Sequence, residues 1–119
     1  MPLLVLVREF FFMNDLILAK NYLRKAQSSE SRGVLFTLSI TSYKNLTKAK
    51  KCYYTGLPLS DSTRTIDRVD RCKGYEKGNV VSCHTSVNSL KNVMEQPTIH
   101  GVTQKSLLKL ISKWAVKVN

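Results

Sequence analysis

The chain has 119 residues, 43% of them apolar, which is material for one modest core, and a second independent domain is not expected. Nineteen Lys and Arg against eight Asp and Glu give a formal net charge of +11, so a polyanion is the natural partner, nucleic acid first and an acidic membrane second. Three cysteines are an odd count, and without an expected export signal they point to reduced thiols in a cytoplasmic setting and against a disulfide framework.

Met1 to Phe12 is apolar, with Leu3 to Val7 and Phe10 to Phe12 separated by Arg8 and Glu9. The two charges break the run well short of the roughly 20 apolar residues of a spanning helix. They also lie inside the stretch, whereas a secretory signal carries its charge ahead of it. Residues 1–12 therefore read as an apolar extension with no membrane role, or as a strand or helix packed on the core. From Asn14 to about Ala26, Leu16, Ile17, Ala19, Leu23 and Ala26 recur at helical spacing while Lys20, Arg24 and Lys25 fall mostly elsewhere, which predicts an amphipathic helix. Ser28 to Gly33 reads as a polar connector and Val34 to Leu38 as a short strand. Ser39 is placed to cap a helix that buries Ile40, Tyr43 and Leu46 and ends on Lys48, Lys50 and Lys51, where positive charge suits the dipole.

Cys52-Tyr53-Tyr54-Thr55-Gly56 reads as a tight turn, continued by a loop from Leu57 to Thr63. Thr65 to Val69 and Val80-Val81 are strand candidates, and the Lys73 to Gly78 turn between them makes a β-hairpin. A helix from about His84 to Met94 follows, with Val87, Leu90 and Met94 on one face. Pro97 and Gly101 interrupt before a last helix, about 104–118, carrying Leu107, Leu108, Ile111, Trp114, Ala115 and Val118 at helical spacing. Trp114 is expected in the core. Strand, turn, strand and helix can aim a strand end at a helix face, and Asp67 and Asn88 are so placed. Both are hard oxygen donors suited to Mg²⁺ or Mn²⁺. For Asn88 the competing reading is a side chain that bridges backbone groups. Lys73, Lys77 and Lys91 around the hairpin, with Lys105, Lys109, Lys113 and Lys117 every fourth residue on the last helix, are expected to line a phosphate track.

The ordered strings Cys52-Tyr53-Tyr54-Thr55-Gly56, Ile66-Asp67-Arg68-Val69-Asp70, Gly74-Tyr75 and Gly78-Asn79-Val80-Val81, followed by Asn88 and Lys91, resemble the HNH, or His-Me finger, nucleases, especially short phage-type versions. The resemblance implies an α+β fold. It would be a small single domain over residues 13–119, its ββα-metal hairpin-helix module at 52–91 flanked by N-terminal and C-terminal helices. It also implies Mg²⁺- or Mn²⁺-dependent hydrolysis of DNA phosphodiester bonds, with RNA or branched DNA left open as substrates, in the cytoplasm of a host cell.

Carried over by position, the resemblance implies that Asp67 and Asn88 are the metal ligands and that Asn79 braces the hairpin against the helix. Arg68 departs from the pattern. It stands where the best-known members keep the histidine that deprotonates water, and a guanidinium is no base near neutral pH. Asp70 and His84, more distantly His100, or an oxygen of the phosphate itself are the substitutes, with a structural hydrogen-bonding role the competing reading for His84. Arg68 itself suits bidentate contact with a phosphate. The alternative is a catalytically inactive nucleic-acid-binding or host-interaction protein of a phage. Related nucleases often carry a zinc knuckle of two Cys-x-x-Cys pairs. Here Thr55 follows Cys52 at the partner position, and His84 and Val87 stand for the second pair. Structural zinc is therefore not expected, though Cys52, Cys83 and His84 are a conceivable three-ligand set, and the knuckle is expected to be packed by Tyr53 and Tyr54.

Overall fold

No Gly or Pro interrupts the sequence between Leu3 and Ser31, and that run forms one continuous 29-residue helix, α1, in a computed structural model that describes residues 2–118. Met1, Asn119 and the side chains of Val7, Phe10 and Phe11, parts of the segments delimited above, lie outside the described residues. The helix crosses the expected boundary at 12/13 without a break, so the apolar extension and the amphipathic segment are one element. It also takes in Ser28 to Ser31, expected as connector. Its end is a Schellman motif: Gly33 at φ +69 turns the chain, Gly33 N–H reaches Glu30 O at 3.0 Å and Val34 N–H reaches Ser29 O at 2.9 Å. Ser29, fully buried, returns its hydroxyl to Lys25 O at 2.9 Å. No helix among the described residues is long and apolar enough to cross a membrane.

Val34 to Leu38 does not form the expected strand. Its one ladder contact is a parallel bridge from Phe36 to Tyr75. Tyr75 N–H donates to Leu35 O at 2.8 Å while Tyr75 O receives the N–H groups of Thr37 and Leu38, both at 3.0 Å, so a single residue satisfies this segment and leaves no row for a second strand. Ser39 caps helix α2 (Ile40–Thr47) as expected, its hydroxyl accepting from Ser42 N–H at 3.1 Å. Tyr43 and Leu46 are half-buried, but Ile40 is exposed, because α2 leans on the sheet and α1 through its other side. Tyr22 ties α1 to this region through its hydroxyl, 2.6 Å from Leu38 O, and through edge contacts with Phe36 and Tyr43.

Strands β1 (Arg64–Arg68) and β2 (Val80–His84) form the antiparallel hairpin, with Asp67 opposite Val81 and Arg64 opposite His84. Alternation buries Ile66 on β1, and β2 buries Ser82 and Cys83. Asn79 rules the long connection: its carboxamide accepts from Asp70 N–H at 2.9 Å and donates to Asp70 O at 3.0 Å and Gly74 O at 2.9 Å. It thus clasps the hairpin loop onto itself and makes no bond to the helix it was expected to brace. The tight turn after Cys52 closes through Cys52 N–H to Leu57 O at 2.8 Å and Gly56 N–H to Cys52 O at 2.9 Å, with Gly56 at φ +73. Here the core is Cys52, Leu59 and Cys83 with Ala49 and Val87 against it. Tyr53 is 65% exposed, so the knuckle is packed by its thiols and Leu59, and its tyrosines lie on its surface.

Helix α3 (Thr85–Glu95) follows β2 directly, with His84 as N-cap, and a 3-10 turn at Pro97–His100 leads to helix α4 (Gln104–Val118). Of the expected apolar face of α3 only Val87 packs; Leu90 and Met94 are exposed. Trp114, expected in the core, is 61% exposed, because α4 touches only α3 and the 3-10 turn, along the line of Leu107, Ile111 and Ala115. The result is an α+β single domain with four α-helices and a two-stranded sheet among the described residues. Its radius of gyration is 18.3 Å, against about 13.5 Å for a compact chain of this length. Helices at both ends therefore project from a small centre.

Gly74 sits where a Cβ would come 2.4 Å from Leu35 O and 2.8 Å from Leu35 Cβ. Gly74→Ala is expected to destabilise the chain by about 1–3 kcal/mol through this overlap, read as a lower urea midpoint. Wild-type stability in that variant would show that the 35–38 segment does not rest on Tyr75.

Candidate active site

Helix α3 presents Asn88, Lys91, Asn92 and Glu95 at spacings of three and four, so these side chains share one face. That face looks onto β1, and the two elements close a cleft of about 220 Å³ with Lys25 and Arg32 of α1 and Arg71 and Tyr75 of the hairpin loop. Asp67, Arg68 and Asn88 all line it. Two carboxylates, Asp67 and Glu95, face five cations: Lys25, Arg32, Arg68, Arg71 and Lys91. The excess of positive charge over a polar floor suits a phosphate.

Lys91 organises the cleft. Its ammonium lies 3.2 Å from Asp67 Oδ2, donates to Arg68 O at 3.0 Å and pairs with Glu95 Oε1 one turn along the helix. Burial disfavours its charge, but the Glu95 and Asp67 carboxylates outweigh burial and hold the ammonium above its ordinary range. Tyr54 reaches in from the knuckle and donates to Asp67 Oδ2 at 2.7 Å. Burial, then the bond to Asp67 and its charge, push the Tyr54 hydroxyl upward and keep it a donor. Both contacts fall on Oδ2, and no hydrogen bond from a described residue reaches Asp67 Oδ1. Glu95 also receives Arg71, whose Nε stands 3.6 Å from Oε2. The Asn88 side chain makes no hydrogen bond to any described residue, so it neither caps nor bridges backbone, and its carboxamide oxygen is available.

Arg68 is partly committed. Its Nη1 donates to Arg71 O and Lys73 O, both at 2.9 Å, and its guanidinium lies 5.3 Å from the centre of the Tyr75 ring. It shapes the loop while its remaining nitrogens line the cleft. Lys25 stands 4.8 Å from the same ring centre, and Arg32 Nη2 donates to the Tyr75 hydroxyl at 3.4 Å. Burial opposes the phenolate there, but Arg32 and Lys25 outweigh it and lower the Tyr75 hydroxyl below its ordinary range.

His84 is placed elsewhere. It is not among the residues lining the cleft, and its Nδ1 accepts from Ser86 N–H at 3.1 Å as the cap of α3. That bond commits Nδ1 to the start of α3, away from the cleft. Asp70 is likewise spent on a local turn, its Oδ1 accepting from Cys72 N–H at 2.9 Å. Asn79 holds the loop and His100 lies exposed on the 3-10 turn, both outside the cleft lining. Lys73 lines a neighbouring groove with Arg68 and Arg71, whereas Lys77, Lys105, Lys109, Lys113 and Lys117 are exposed and line neither. Lys25, Arg32, Tyr54, Arg71 and Glu95 were not singled out from sequence. Glu95 had a signal, its seven-residue spacing from Asn88 on one helix face.

The thiols of Cys52 and Cys83 lie 4.0 Å apart in the core. Burial favours a neutral Cys52, but the Thr55 hydroxyl and the backbone amides of His84, Thr55 and Tyr54 outweigh it and bring this thiol down to about 7. Burial and the neighbouring Cys52 push Cys83 up to about 12. Among the described residues no three His, Cys, Asp or Glu side chains gather as a metal group. The chain matches no known protein family, and no curated protein or solved structure matches it.

Lys91→Met takes the shared cation from both carboxylates, leaving Asp67 to the Tyr54 hydroxyl and Glu95 to Arg71, and the expected loss is about 2–4 kcal/mol in urea unfolding, with Lys91→Arg recovering part of it. An unchanged midpoint in Lys91→Met would show that the network does not hold α3 on β1.

Proposed function

We propose that this chain is a metal-dependent, HNH-like endonuclease that hydrolyses DNA phosphodiester bonds. The supporting observation is the cleft between β1 and α3, where one carboxylate and one carboxamide with uncommitted oxygens, on Asp67 and Asn88, stand among five cations. Two hard oxygen donors with the rest of the shell left to water and phosphate is the kind of set that Mg²⁺ or Mn²⁺ accepts, so the residues fit such an ion. A bound ion would supply charge that polarises the phosphate and steadies the leaving oxygen. Consecutive hairpin and helix, with the donors on β1 and α3, is also the arrangement of a ββα-metal module.

The chain's own residues would bind, orient and move the proton. Arg32, Arg71 and Lys91 meet the phosphate, and Arg68 fixes the loop that carries Arg71. Glu95 is the base. In the free protein its two oxygens are engaged by Lys91 and Arg71. A phosphate competes for these two cations, and as they turn to it the Glu95 carboxylate is released to take the proton of the attacking water.

A second reading has its own observation. The Lys91 ammonium 3.2 Å from Asp67 Oδ2 is a cation supplied by the chain itself, as expected of an HNH-fold protein that binds nucleic acid without cutting it.

With Mg²⁺ or Mn²⁺, the purified chain is expected to nick supercoiled plasmid. Asp67→Ala and Asn88→Ala should abolish nicking with DNA binding retained, and Glu95→Gln should slow it about 10²-fold. Binding without turnover in either metal would leave only the second reading. On both readings, log affinity for DNA should fall against log salt with a slope of about −4, set by the five cations of the cleft. A flat salt response would remove both.

A further inference from the structure

A hollow larger than the cleft, about 600 Å³, adjoins it, walled by α1, α2 and β1. The two share Lys25, Thr65 and Ile66, so they adjoin along these residues. A single face of α1 runs along them, with Asn14, Ile17, Leu18 and Asn21 in the larger compartment and Lys25 at the junction, and Arg32, the C-cap of α1, follows in the cleft. At 1.5 Å per residue, Asn14 to Arg32 spans about 27 Å. That is room for about four nucleotides of a strand stretched to about twice its stacked spacing of 3.4 Å.

The chemistry changes at the junction. The cleft holds five cations, whereas the larger compartment has Lys25 and an Arg64–Asp61 pair at 2.9 Å, whose charges offset each other. Its remaining surface is amide, hydroxyl and apolar: Asn14, Asn21 and Thr47 beside Ile17, Leu18 and Tyr43. The carboxamides of Asn14 and Asn21 make no hydrogen bond to any described residue. A carboxamide offers a donor and an acceptor together, as a base edge does, and an aromatic ring with aliphatic neighbours provides walls for a base plane.

We propose that the compartment between α1 and α2 is a nucleobase pocket, holding an unpaired base of the nucleotide beside the phosphate bound in the cleft. This rests on the phosphate-binding reading of the cleft and adds the substrate class, a strand unpaired on that side. A base in a duplex has its pairing edge occupied and its faces stacked, so it enters a pocket walled by two helices and a strand only when swung out. Asn14 and Asn21 read its edge, Tyr43 and Leu18 flank it, and Lys25 holds the intervening phosphate.

The test is fluorescence anisotropy of the full chain with a labelled single-stranded oligonucleotide, the same backbone made abasic, and the matching duplex. The base-bearing single strand is expected to bind about tenfold more tightly than the abasic strand. Asn14→Ala/Asn21→Ala, both on the exposed surface of α1, should erase that difference while binding the abasic strand as the unaltered protein does. Equal affinity of the unaltered protein for base-bearing and abasic strands, or a preference for the duplex over the single strand, overturns the base pocket and leaves the phosphate cleft standing. Failure to bind any of the three overturns the cleft reading, and the pocket with it.

Discussion

One ammonium group holds this small fold in register. Lys91 crosses from α3 to β1 and is shared by the carboxylates of Asp67 and Glu95 and by the carbonyl of Arg68. Either carboxylate without it would be a largely covered negative charge, a costly arrangement. Satisfied together, they fix the azimuth of α3, since only with Lys91 inward do Asn88, Asn92 and Glu95 face the strand. The cleft is thus a consequence of how the chain solves its own charge problem.

That role falls to polar groups because the core is thin. Among the described residues the buried apolar ones are Leu38, Cys52, Leu59, Ile66, Tyr75 and Cys83, two of them thiols. Domains with little apolar surface to bury need other constraints. Here they are directed ones: the Asn79 carboxamide across the hairpin loop, Tyr75 at the 35–38 segment, Ser82 to Leu46 O at 2.6 Å and Arg64 to Ala49 O at 2.9 Å. Each tethers a loop or helix end to the hairpin, so the neighbourhood of Asp67 is more tightly determined than the outer helices.

The same economy organises charge. Cations reach the cleft from α1, β1, the hairpin loop and α3, segments far apart in sequence, and its two acids are already engaged. An arriving phosphate meets uncompensated positive charge and can exchange places with a carboxylate at Lys91 or Arg71 without stranding either ion. The Lys stripe of α4 contributes to the net field but not to this focus, because none of its lysines lines the cleft.

Much of the local structure was legible in sequence. The hairpin, the cap at Ser39, α3 and α4 within a residue or so, and the candidacy of Asp67 and Asn88 all follow from spacing and turn chemistry, which are local. Where expectation and structure part, long-range contacts decided. Tyr75 satisfied the backbone of Val34 to Leu38 and so kept it from being a strand. Ser28 to Ser31 stayed helical because the turn waits for Gly33. Leu90, Met94 and Trp114 have core-like spacing, but no element arrives to cover them. Of the two roles open to His84 in sequence, the structural one is what its Nδ1 performs in capping α3, and Glu95 becomes a site residue only because the fold sets it beside Lys91 and Arg71. Residue type and spacing determined which elements form and which chemistry they carry. Only the tertiary structure decided which side chains meet, because a shared ion, a clasped loop or a covered face depends on distances between segments that periodicity does not encode.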